Sequence, residues 1–122
     1  MGGTVGGLTY LLFGTLNPYG TSPPLLLLSQ IVGGIVVGCG GALWKKMKVN
    51  SPVALGIAGA VLTLFYDFIT NIGAYLAFVS KSTIGAFVVA ALPYASVHIL
   101  TNALIFGAVV WVVINRIEYI WR

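Results

Sequence analysis

Residues 53–79 read VALGIAGAVLTLFYDFITNIGAYLAFV. Every side chain in this run is apolar, small or aromatic except Thr63, Asp67, Thr70 and Asn71. A bilayer core takes about 20 apolar residues as helix, so the run is long enough to cross one. The backbone must then satisfy its own hydrogen bonds, which a helix does and an isolated extended segment does not. Asp67 is one of only two acidic residues in the chain. Its position within the run has to be explained by what it faces.

The rest of the chain has the same character. It is 59% hydrophobic and 7% charged over 122 residues, with a mean hydropathy of +1.04, whereas soluble domains carry roughly 25% charged residues. The reading is an all-α polytopic transmembrane bundle forming one domain, residues 1–122, with no soluble domain appended. A β-barrel would alternate apolar and polar residues over strands of roughly 10 residues, and these runs are continuous. The net charge of +4 is not a nucleic-acid footprint, because the cations sit at the ends of the apolar runs. The lone Cys39, in GCGGAL, reads as a packing thiol. The opening MGGTVGGLTYLLFG has no basic start and no cleavage site, so it is not a secretory signal; it reads as the end of a longer helix whose start is missing. No catalytic constellation, Gly-rich phosphate loop or set of metal ligands is present, which predicts a non-enzyme with no metal and no cofactor.

Four apolar segments can be drawn. The first covers about 3–16 and ends in NPYGTSPP, whose prolines and glycine interrupt helix. The second runs about 24–44 to the basic KKMK, and the third about 53–79, before Ser80, Lys81 and Ser82. The last stretch, 83–115, is too long for one straight span, and Pro93 is expected to divide it into a short re-entrant or interfacial piece, 83–92, and a full helix from 93. About four spans plus that short helix result. Lys45, Lys46, Lys48, Arg116 and Arg122 mark one side as cytoplasmic by the positive-inside rule. This predicts a multi-pass protein of the cell membrane with both termini cytoplasmic and residues 17–23 and 80–92 outside. Trp44, Tyr119 and Trp121 suit an interfacial aromatic belt. Gly34, Gly38 and Ala42 form a small-residue row that lets helices approach closely.

Two polar stripes stand out. Thr63, Asp67, Asn71 and Tyr75 are spaced i, i+4, i+8, i+12, and Tyr94, His98 and Asn102 repeat the spacing, so each set shares one helix face. At about 1.5 Å per residue the two sets overlap in depth, in the outer half of the membrane. An Asp near the bilayer centre is penalised by about 2.5–3.5 kcal/mol on insertion scales, so Asp67 must face a partner or a polar cavity inside the bundle. Three roles remain open: a register-fixing pair with His98 or Asn102, a ligand pocket open to the outside, and a proton-relay carboxylate.

The order of GGLTYLLFGTLNPYGTSPPLLLLSQIVGGIVVGCGG, GAVLTLFYDFITNIGAYLAF and LPYASVHILTNALIFGAVV resembles the substrate-binding membrane subunit (S component) of energy-coupling factor vitamin transporters, in its cobalamin- and queuosine-precursor-type members. The resemblance covers nearly the whole chain and is loose rather than an invariant signature. It implies a vitamin-like ligand bound in the outer half of the membrane beneath external loops. It also implies docking on a transmembrane coupling subunit driven by cytoplasmic ATPases. By position, Asn17 and Tyr19 would belong to a capping loop, Gln30 would open the family's fourth helix, Asp67, Asn71 and Tyr75 would line the pocket from its fifth, and Tyr94, His98 and Asn102 from its sixth. The family has six helices and this sequence supplies about four, with no counterpart of the first ones. The competing reading is a small proton-coupled multidrug-type exporter working as a homodimer, with Asp67 as the proton-exchanging carboxylate.

Overall fold

A computed structural model describes residues 1–48, 50–78 and 83–120, the side chains of 118–120 excepted. Four helical rods follow one another: α1 (Gly2–Thr15), α2 (Pro24–Met47), α3 (Pro52–Phe78) and a last rod in which α4 (Ile84–Ile105) runs through a π-helical turn (Phe106–Val110) into α5 (Trp111–Ile120). No strand occurs among the described residues, and the all-α reading holds. Ser80, Lys81, Trp121 and Arg122, to which the sequence reading gave roles, lie outside the described residues, as does the Tyr119 side chain.

Local chemistry sets the ends. Pro24 opens α2 at a position whose N–H has no helical partner. Lys48 closes α2 in the left-handed region, φ 54°. Ser51 Oγ accepts a hydrogen bond from the Ala54 amide at the start of α3, and Thr83 Oγ1 accepts one from Ala86 at the start of α4. At α1, 14 residues span only about 21 Å, less than a bilayer core of about 30 Å. The other three rods are long and apolar enough to cross a membrane, so among the described residues there are four helical rods and three of them have spanning length.

The expected division at Pro93 does not occur. Pro93 lies inside α4, which begins at Ile84 and continues without interruption, so no separate re-entrant piece exists. Proline removes one N–H and leaves one carbonyl without its helical donor. Ending the helix in hydrocarbon would strand several backbone groups where no water can reach them. The single loss is the smaller one.

The strong contacts run in chain order, α1 on α2, α2 on α3, and α3 on α4 and the π turn. They are made largely at glycines, which meet either backbone or a side chain of the neighbouring helix. A Cβ on Gly6 would strike the Gly34 carbonyl, and one on Gly34 would meet the Gly6 carbonyl and the Tyr10 ring. Gly2 and Gly38 are opposed in the same way. The Gly34–Gly38 row is therefore an intrachain seam. Gly73 lies against Ser29, Gly33 against Tyr66, Gly56 against Ala103 and Gly107, and Gly59 against Phe106. Among the described residues Leu55, at 6%, is the one buried hydrophobic side chain. Most of the other large ones are exposed, as they are when the solvent is lipid, while Leu62 and Phe106 are half-buried against glycines of neighbouring helices.

Gly34→Ala should destabilise the protein by about 1–3 kcal/mol through overpacking. Gly41 has nothing near its would-be Cβ, so Gly41→Ala should leave stability unchanged or raise it by up to about 1 kcal/mol. Melting curves of both variants in the same detergent check the seam; equal melting of the two would contradict it.

Candidate functional site

The two stripes meet. Asp67, on α3, and His98, on α4, are joined by a hydrogen bond of 2.8 Å between Oδ1 and Nδ1. Asp67 is 5% exposed, and the His98 side chain is 30% exposed. The expected juxtaposition of the stripes is thus present, with His98 rather than Asn102 as the partner. The Tyr94 ring lies one turn from His98, centroids 5.5 Å apart and tilted by 39°. Thr63, the lowest member of the α3 stripe, is buried but turned onto its own helix, donating to the Gly59 carbonyl at 2.8 Å.

The depth needs correction. With α4 starting at Ile84 rather than at Pro93, His98 lies about 21 Å along its rod. Asp67 lies about 16 Å from the Phe78 end of α3 and about 22 Å from its Pro52 end. The pair therefore sits close to mid-helix on both rods, a little toward the Phe78 and Ile84 ends.

Magnitudes show what the pair leaves unfinished. A hydrogen bond to a charged group is worth about 1.5–3 kcal/mol, which offsets most of the insertion penalty of an Asp. It uses one carboxylate oxygen. Among the described residues the buried Oδ2 of Asp67 has no hydrogen-bond partner, and neither does the buried Oε1 of Gln30. Buried polar atoms are normally paired. The bond itself forms with either a neutral imidazole donating from Nδ1 or an imidazolium, so the geometry suits a site that holds a proton as well as one that accepts a donor from a ligand.

The other expected site residues are only partly gathered here. Asn71 and Asn102 are half-buried on the same faces as the pair. Tyr75 packs edge-on against Phe87, centroids 5.5 Å apart. Gln30 turns its Oε1 toward Gly14 of α1. Asn17 accepts a hydrogen bond from the Tyr19 amide at 3.0 Å, which shapes the turn, while the Tyr19 side chain is 96% exposed. No hydrogen bond or ring contact among the described residues joins the NPYG loop to the pair.

Two polar groupings escaped the sequence reading. Tyr10 of α1 and Tyr66 of α3 stack with centroids 4.8 Å apart, and Tyr66 is seated on Gly33. The Gly33–Gly34 doublet was the available signal, since it clears space on α2 for both rings. At the Lys-rich end, Asn50 Oδ1 accepts from Trp111 Nε1 at 2.9 Å, and Asn50 Nδ2 donates to Asn115 Oδ1 at 3.0 Å. These residues are 61 and 65 positions apart, and no local spacing connects them. No protein-family model, curated protein or solved structure matches this chain.

If the Asp67–His98 bond acts as described, Asp67→Ala and His98→Ala should be non-additive. A thermodynamic double-mutant cycle in detergent should return a coupling of about 1–3 kcal/mol. His98→Ala alone should be the more damaging change, because it leaves a buried carboxylate without its partner. Strict additivity would mean that the two side chains do not interact.

Proposed function

We propose that this chain is the substrate-specificity subunit of a micronutrient uptake transporter, binding a small vitamin-like molecule within the membrane while partner subunits, a transmembrane coupling protein and cytoplasmic ATPases, supply energy. The observation that carries the reading is the buried Asp67–His98 pair with its unpartnered Oδ2, set between rods long and apolar enough to cross a bilayer. Ionisable groups at that depth are costly and mark substrate or ion paths. The half-buried amides of Asn71 and Asn102 on the same faces supply adaptable polar contacts for a ligand. The KKMK segment and α5 share one end of the bundle, since Asn50 joins Trp111 and Asn115, and α1 starts in the half of α2 nearer that end, where Gly2 lies against Gly38. That supports both termini being cytoplasmic in the cell membrane.

One observation favours the rival reading, a proton-coupled exporter working as a homodimer. A partnerless buried carboxylate oxygen is also a place for a proton. The test is Asp67→Asn, which keeps the shape and removes the charge. Native mass spectrometry of the purified wild type identifies a retained small molecule, which is then titrated into both proteins. The uptake reading expects about 10- to 150-fold weaker binding by the variant, the loss of about 1.5–3 kcal/mol of charged hydrogen bonding. Unchanged affinity contradicts it. Retained binding with pH-independent transport would identify the exporter instead.

A further inference from the structure

The clasp at the Lys-rich end has a use independent of whatever Asp67 binds. Asn50 ties the turn after α2 to α5 through Trp111 and Asn115. Lys48 lies two residues before Asn50, and Arg116 follows Asn115 directly, so the clasp sets two cation-bearing segments side by side. Lys45 and Lys46 occupy the last turn of α2 at the same end. All four cations are exposed. The one ion pair formed among the described residues is the distant His98–Asp67 contact. The only acid of this end is Glu118, whose side chain is outside the described residues.

Beside these charges a cleft of about 410 Å³ opens on α5, lined by Trp111, Val112, Asn115 and Arg116. Its walls are mainly apolar, with the cation at one edge. The level fits a bilayer boundary. Trp111 lies 13 positions beyond His98, about 20 Å along the rod, and half of a bilayer core is about 15 Å. With the Asp67–His98 pair near mid-helix, Trp111 reaches the headgroup boundary and Arg116 the layer just beyond it.

We propose that this end of the bundle is a binding site for an anionic phospholipid. The phosphate lies between Arg116 and Lys48, and the upper part of one acyl chain lies in the cleft along Trp111 and Val112. Guanidinium and ammonium groups suit a phosphate, and basic pockets at the ends of membrane helices recognise anionic headgroups. A free phosphate ion would use the cations and leave the apolar cleft empty, whereas a lipid uses both. Asn50 is then a positioning residue that keeps Lys48 within reach of the lipid held at Arg116.

The test is native mass spectrometry of the full chain in detergent, titrated with dioleoyl-phosphatidylglycerol or with dioleoyl-phosphatidylcholine, which share their acyl chains. The wild type should retain the anionic lipid about 5- to 30-fold more strongly, the equivalent of one or two cations at about 1 kcal/mol each. Arg116→Gln should reduce the preference about 5-fold and Arg116→Lys should preserve most of it. Melting curves of both variants should match the wild type, since Arg116 makes no ion pair among the described residues. Equal retention of the two lipids by the wild type, or an undiminished preference in Arg116→Gln, overturns the proposal. Loss of the preference in millimolar inorganic phosphate without loss of bound lipid also overturns it, because the cations would then serve a free ion.

Discussion

A carboxylate in hydrocarbon has to be partnered from within the protein, and that constraint shapes the centre of this bundle. Asp67 meets it by accepting a hydrogen bond from a residue 31 positions away on the next rod. The bond fixes which faces of α3 and α4 meet and how the two rods are staggered. It also fixes what is left over, a second oxygen with no protein partner. The same contact therefore serves the fold and leaves a polar atom for chemistry, and the stabilising and functional readings of Asp67 are two halves of one carboxyl group.

Around that pair the packing depends on the absence of side chains. Lipid is as apolar as leucine, so burying leucine between membrane helices brings little advantage, while close backbone approach does. The glycine seams of α1 with α2, and of α3 with α4 and the π turn, are the outcome. The π turn extends the register. Tyr94, His98, Asn102 and Phe106 are spaced by four, and Trp111, five on, followed by Asn115, reaches Asn50 just before α3. A turn with i→i+5 bonding adds the extra residue between the His98 contact with α3 and the Trp111 contact with Asn50.

The features legible in the sequence were those that depend on spacing and solvent. Apolar length predicted membrane rods, and the i, i+4 stripes predicted that Asp67 and His98 would meet. Pro93 was misread because the usual rule for proline assumes that water can take up the broken hydrogen bonds; in lipid, continuing the helix is cheaper. That error also misplaced the depth of His98. The π turn and the Asn50 clasp were not legible, because each depends on which rods become neighbours, and the Tyr10–Tyr66 stack left only the Gly33–Gly34 doublet as its sign. The loop residues Asn17 and Tyr19, assigned through a resemblance, are not brought to the pair by any hydrogen bond or ring contact among the described residues.

His98 is the only histidine in the chain, so its ring can be observed without assignment. With histidine-selective ¹⁵N labelling in lipid nanodiscs, the account predicts a single Nδ1–H resonance, shifted downfield and protected from solvent exchange, that disappears in Asp67→Ala. An imidazole in rapid exchange in the wild type, with a spectrum identical to that of Asp67→Ala, would contradict the claim that the Asp67–His98 bond organises this bundle.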